Sequence, residues 1–177
     1  MFDVRPFTSS KPLDCGATCL QMLLDYYGIE VGLETLTVEC NTDITGCTGG
    51  DLNRVGRAYG LDMHAYKMDA EELVNQDRPA IVWWRGDHFC IMAGRDEDGK
   101  VVICNPDKGR YRMSFGTFKS FTSIRTDTNP EGMPIAFFNG EPVDLPATPA
   151  PVTLTDEQAQ EYADLQEIAD KLEEVFF

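Results

Sequence analysis

The stretch DCGATCLQMLLDYYGI, residues 14–29, reads as one helix with a cysteine in its opening turn. Leu20, Leu23, Leu24 and Tyr27 recur at the spacing of a single helical face, and Gly28 supplies the stop. Asp14 is a residue type that caps helix N-termini, which puts Cys15 and Gly16 first inside. The positive end of the helix dipole and the unpaired amides of a first turn favour a thiolate, the form of cysteine that attacks carbonyl carbon. Cys19, one turn deeper, has the mid-helix position of a buried structural thiol.

Downstream, Leu33–Glu39 reads as a short second helix, Gly46–Gly50 as a turn, and Asp51–Tyr59 as a third helix ended at Gly60. Strand signals then dominate. Asp62–Met68 alternates weakly and Ala70–Asn75 is a short helix. Pro79–Trp84 and His88–Gly94 are β-branched or aromatic runs joined by the turn Arg85-Gly86-Asp87. Asp96-Glu97-Asp98-Gly99 has hairpin-turn composition, with Lys100–Cys104 returning from it. The turn Asn105–Gly109, a strand at Arg110–Ser114, a short helix near Phe115–Phe121 and a last strand at Ile135–Phe138 follow. Helices first and an antiparallel sheet second define an α+β fold, preceded by an irregular lead-in over residues 1–13.

The chain has 177 residues, 42% apolar and 10% aromatic, which suits one domain of ordinary size plus an appendage. The domain is read as residues 1–140. Pro142–Pro151 holds four prolines in ten residues, so 141–154 reads as a stiff linker. Thr155-Asp156-Glu157-Gln158 is a capping box, and Tyr162, Leu165, Ile168, Leu172 and Val175 mark the apolar face of a helix over 155–177. That segment carries eight acids and one base, −7 of the chain's net −15. Its stripe needs cover from its own domain, from a second copy or from a partner's groove. The acidic balance argues against a nucleic-acid or anionic-membrane surface. No run approaches the ~20 apolar residues of a membrane-spanning helix. The N-terminus lacks the basic, apolar and small-residue regions of an export signal, which reads as a cytoplasmic chain.

Cysteines stand at 15, 19, 40, 47, 90 and 104, with no CxxC pair and no histidine at zinc-ligand spacing. Reduced thiols are therefore expected, with no metal and no cofactor. Zinc on Cys40 and Cys47 would require a distant third ligand.

A nucleophilic cysteine needs a base to take its proton and return it to the leaving amine. Of the two histidines, His88 begins a strand after a tight turn and can face a cleft, whereas His64 has an ordinary strand or surface setting. The ring needs an acceptor for its other nitrogen. Asn105 supplies one if the strands around Asp96–Gly99 pair, since His88 lies eight residues before that turn and Asn105 six after it. A register slip would substitute Asp107. Cys40, Cys47, Cys90 and Cys104 are read as structural.

DCGATCLQMLLDYYGI (14–29), TGGDLNRVGRAYGL (48–61), RPAIVWWRGDHFCIMAG (78–94) and VVICNPDKGRYRMS (101–114) resemble, in order, the bacteriocin-processing cysteine peptidases. These are papain-like domains that remove double-glycine leader peptides at the N-terminus of peptide-exporting ABC transporters. The likeness runs from about Leu13 to Phe121. It implies a papain-like fold with the cysteine in a helical half and the histidine in a sheet half. It also implies Cys15 as nucleophile, His88 as general base and Asn105 where the family has the aspartate of an aspartate-proline pair. The family's oxyanion glutamine, six residues before the cysteine, is Ser9 here, which leaves Ser9, Ser10 or the Cys15 backbone amide for that task. Loss of one oxyanion donor typically costs on the order of a hundredfold in rate. With no transporter segments following, the chain is expected to be a free-standing relative, and Gly49-Gly50 aligns with a helix start, not a cleavage site.

Two readings of function follow, and a third is compatible with either. The first is a cysteine peptidase acting on a peptide or protein through an acyl-enzyme. The second is a weak or inactive papain-like module that binds peptide in the same cleft. The third is an assembly or docking role for the acidic 155–177 segment.

Overall fold

The computed structural model describes residues 1–143 apart from Ser10 and Pro12. The expectations for Ser10 and for the segment beyond Val143, including the helix over 155–177, lie outside the described residues. Met1–Val143 forms one compact unit.

Three helices come first: α1 (Cys15–Tyr26), α2 (Leu33–Glu39) and α3 (Gly49–Ala58). Then follow β1 (Met63–Lys67), α4 (Ala70–Val74), β2 (Ala80–Trp84), β3 (His88–Arg95), β4 (Val101–Asn105), β5 (Gly109–Met113), α5 (Phe115–Thr122) and β6 (Ile135–Asn139). All six strands join one antiparallel sheet in the order β1-β6-β2-β3-β4-β5. The expected α+β class is therefore found.

Local chemistry explains the helix ends. Gly28, at φ +79°, closes α1 with a Schellman pair in which the Gly28 amide donates to Asp25 and the Ile29 amide to Leu24, both at 2.9 Å. At the other end the expected cap is only positional. Asp14 precedes the helix, but its ψ of 6° is not the extended geometry that turns a cap side chain back on the first amides, and no side-chain cap forms. Thr48, at ψ 159°, has that geometry. Its hydroxyl accepts from the Asp51 amide while the Asp51 carboxylate accepts from the Thr48 amide. This capping box starts α3 at Gly49, two residues earlier than the composition of Gly46–Gly50 suggests. The Asp51 carboxyl is held down at about 2 chiefly by the Thr48 hydroxyl.

The sheet separates two cores, and strand alternation assigns residues between them. On β3, Phe89, Ile91 and Ala93 join the α1 side with Leu20, Leu23, Leu24, Leu52 and Val55. Cys90 and Met92 face the other way, toward Leu73, Trp84, Phe118 and Phe138. Phe138 is fully buried and its ring stacks on Tyr66 at 4.7 Å. Phe138→Ala should cost about 3–5 kcal/mol, read as a lowered urea midpoint with unchanged slope.

The lead-in is irregular as expected, yet it is tied down. The Phe2 amide donates to the Ala93 carbonyl at 2.8 Å, and Arg110 donates to the carbonyls of Val4 at 2.7 Å and Phe2 at 3.2 Å. Gly94 makes the approach feasible. It sits at φ +86° beside the irregularity in β3, and a Cβ there would stand 3.2 Å from the Met1 Cα. The Ser9 amide, donating to the Pro106 carbonyl at 3.0 Å, fastens the end of the lead-in to the β4–β5 turn.

Candidate active site

Three pieces of chain meet where α1 opens against the first residues of β3 and the last of β4. Cys15 is the first residue of α1 and is 9% exposed. Its thiol takes a hydrogen bond from the main-chain amide of Phe89, the residue after His88. Burial is the largest influence on this thiol and pushes its pKa up. The Phe89 and Gly16 amides pull it down, while the Cys47 thiol and the Asp107 carboxylate add to the rise. The net direction is opposite to that expected from a helix N-terminus alone. Desolvation outweighs the first-turn amides, so the thiolate depends on a neighbour that can hold the proton as a positive charge.

His88 opens β3, as the sequence predicts, and its side chain is 15% exposed. Its Nε2 lies 3.3 Å from Asn105 Oδ1 and 3.6 Å from Asp107 Oδ2. An amide oxygen is only an acceptor, so this contact keeps the proton on Nε2 and leaves Nδ1 as the basic nitrogen. The pairing of Ile91 with Cys104 places Asn105 across from Cys90, diagonal to His88 on the same face of the sheet. Asp107 is the residue opposite His88 by count, but it lies in the turn and is 52% exposed. The structure thus brings both candidate third members to the ring, with the buried Asn105 nearer.

Asn105 is itself oriented. It is 4% exposed; its Oδ1 also accepts from the Asp107 amide at 2.8 Å, and its Nδ2 donates to Tyr111 Oη at 3.4 Å. Burial pushes the Tyr111 hydroxyl up to about 12, so it stays protonated. Tyr111 was not legible as a site residue, although the pairing of β4 with β5 puts it two residues beyond the turn that holds Asp107.

Ser9 is near the site through the hydrogen bond from its amide to the Pro106 carbonyl, but its hydroxyl is engaged elsewhere. It donates to the Lys11 carbonyl at 3.2 Å and accepts from the Lys11 amide at 3.1 Å. His64 lies on the outer strand β1, with its Nε2 2.8 Å from Asp62 Oδ1. Cys19, Cys90 and Cys104 are buried, whereas Cys47 is half-buried. A Cβ at Gly16 would fall 2.3 Å from the Cys47 sulfur, so Cys47 lies directly over the first turn of α1. Among the described residues, no three His, Cys, Asp or Glu side chains gather as a metal site.

A groove of about 480 Å³ opens beside this first turn. Cys47, Trp83, Phe89, Ile124, Ile135 and Phe137 give it apolar walls. Gly49 also borders it, where a Cβ would come within 2.3 Å of the Phe137 ring.

A helical half presenting a cysteine at a helix start, and a sheet half presenting a histidine at a strand start, make up the papain-like cysteine peptidase fold. Residues 6–125 match the Peptidase C39 family, and the chain belongs to that family. The crystal structure of a double glycine motif protease from an AMS/PCAT transporter, in complex with the leader peptide, is 27% identical. It superposes with a TM-score of 0.67 over 78% of this chain and 93% of that one. The peptidase domain of Streptococcus ComA, a bifunctional ABC transporter of a quorum-sensing pathway, shares the fold at 20% identity. Its TM-score is 0.65 over 77% of this chain and 99% of that one. The lactococcin-G-processing and transport ATP-binding protein of Lactococcus lactis subsp. lactis is 26% identical over 118 residues, 63% of this chain. The chain spans 17% of that relative's length. Among the described residues no helix is long and apolar enough to cross a membrane.

Proposed function

We propose that the chain is a cysteine peptidase that removes a leader from a peptide substrate after a double glycine, with Cys15, His88 and Asn105 as its reacting set. What supports this reading is the arrangement around the start of β3. The Cys15 thiol rests on the Phe89 amide, and the adjacent His88 ring is held through Nε2 by Asn105 at 3.3 Å. His88 Nδ1 takes the thiol proton, and the thiolate attacks the scissile carbonyl. The imidazolium then protonates the leaving amine, and water releases the acyl group from sulfur. The apolar groove beside Cys47 and Phe89 is assigned to the leader, the kind of ligand with which a 27% identical relative was crystallised.

The Cys15 backbone amide is assigned the oxyanion, because the Ser9 hydroxyl is spent on Lys11. Ser9→Ala should then change kcat by less than about threefold, far below the hundredfold or more that loss of an oxyanion donor costs. A large drop in kcat would return the task to Ser9. Asn105→Ala should lower kcat/KM by roughly 10–100-fold, below the 10²–10⁴-fold of general acid–base assistance itself, because Asn105 orients the ring without exchanging the proton. Asp107→Asn should cost about fivefold at most, the range of an exposed ion pair. A reversed order would make Asp107 the third member.

The same Ser9 observation favours one competing reading, a peptide-binding module with little or no turnover. Incubating the chain with a synthetic leader peptide containing Gly-Gly and following products by mass spectrometry separates the two. Cleavage after the second glycine supports the peptidase. Saturable binding without product, under conditions where Cys15 is reduced, supports the module.

A further inference from the structure

The strongest unassigned feature is a second pair of thiols beside the site. The 40–47 loop doubles back through reciprocal hydrogen bonds, the Asp43 amide to the Gly46 carbonyl at 3.2 Å and the Gly46 amide to the Asp43 carbonyl at 3.1 Å. Asn41 turns the chain at φ +50° just after α2. The loop's two ends are thereby folded together, and the Cys40 and Cys47 thiols hydrogen-bond to each other. Cys40 is fully buried, while Cys47 is half-buried and borders the apolar groove. We propose that Cys40 and Cys47 are a dithiol–disulfide couple, closed to an intramolecular bridge by small-molecule disulfides that reach Cys47 from the groove.

The pairing divides the labour between the sulfurs. Cys47 borders the groove and meets the reagent first, while the buried Cys40 stands behind it as the resolving thiol. In the first step the Cys47 sulfur attacks one sulfur of a disulfide RSSR, and its proton passes to the departing thiolate. A bond forms from Cys47 to that sulfur, the S–S bond of the reagent breaks and RS⁻ leaves. In the second step Cys40 attacks the Cys47 sulfur of the mixed disulfide and expels the other RS⁻. Two protein thiols are oxidised, one RSSR is reduced to two RSH, and the two thiol protons end on the released thiols. Bond formation needs a sulfur separation near 2.05 Å, which draws the Cys47 sulfur toward Cys40 and off the first turn of α1 that it now covers. Formation of the bridge does not require peptide hydrolysis, so its success or failure leaves the peptidase reading where it stands.

The test uses the full reduced chain and oxidised glutathione as the probe. After exposure under native conditions, the chain is denatured, alkylated with iodoacetamide and mapped without reduction. The expected result is a bridge joining Cys40 and Cys47, two hydrogens lighter than the dithiol, with Cys19, Cys90 and Cys104 alkylated. Cys40→Ser should lose the bridge and retain glutathione on Cys47. Cys47→Ser should carry glutathione at neither position, because Cys40 is buried. The same bridge in a Cys15→Ala chain would show that the site is separate from the nucleophile. Glutathione retained on wild-type Cys47, a bridge from Cys47 to Cys15, or Cys40 and Cys47 both left as free thiols would overturn the proposal.

Discussion

Cys15→Ala is expected to reduce kcat/KM on a cleavable leader peptide by roughly 10⁴-fold or more, the scale at which a nucleophile's loss is felt in hydrolases. The substitution removes one sulfur from a position that is 9% exposed and leaves the Cys15 amide and the α1 start in place. Circular dichroism and the urea midpoint should therefore stay close to wild type, and peptide affinity should survive. That combination separates a chemical role from a packing role. A general loss of structure would mean that the thiol is part of the core. Activity retained within tenfold would mean that another group attacks the carbonyl. Cys47 is the nearest candidate for that part, since it covers the same helical turn.

His88→Ala should produce the other large effect, about 10²–10⁴-fold in kcat, because in the proposed mechanism one residue serves as base and then as acid. Its pH dependence carries more information than its size. Burial raises the Cys15 pKa above the ordinary thiol value, and the raised direction means that the neutral thiol is the stable form at neutral pH when no cation stands beside it. Without the imidazole, Cys15 alkylation by iodoacetamide should be slow at pH 7 and accelerate only as the pH climbs through that raised value. With His88 present, the proposed proton transfer to Nδ1 would stabilise the thiolate, and fast labelling should extend well below it. Equal pH profiles for the two chains would disconnect the thiol from the ring.

The parts of this architecture that were legible in the sequence are the local ones. The α1 helix follows from its apolar spacing and Gly28, and the β3–β4 pairing from the polar turn Asp96–Gly99 between two apolar runs. Both Asn105 and Asp107 emerged as candidates because a hairpin count cannot resolve a diagonal contact from a direct one. The sheet order was not legible. β6 inserts between β1 and β2, pairing Phe138 with His64 and Phe137 with Ile81, and nothing local specifies contacts across such separations. The groove depends on that insertion, since Phe137 and Ile135 form part of its wall. Cys47 and Tyr111 escaped for the same reason: each matters through a neighbour brought to it by the fold, Gly16 in one case and Asn105 in the other. The charge preference of Cys15 was misjudged because a helix N-terminus can be read from sequence, whereas the burial that overrides it belongs to tertiary packing.

One measurement bears most directly on the thiol and imidazole working together in a peptide-binding groove. A leader peptide ending in Gly-Gly and carrying a C-terminal vinyl sulfone is incubated with the intact chain, and the adduct is located by peptide mapping. A single adduct on Cys15, formed rapidly in wild type and slowed by at least about a hundredfold in His88→Ala, is the predicted result. An adduct on Cys47 or another thiol, or equal rates in the two chains, would contradict it.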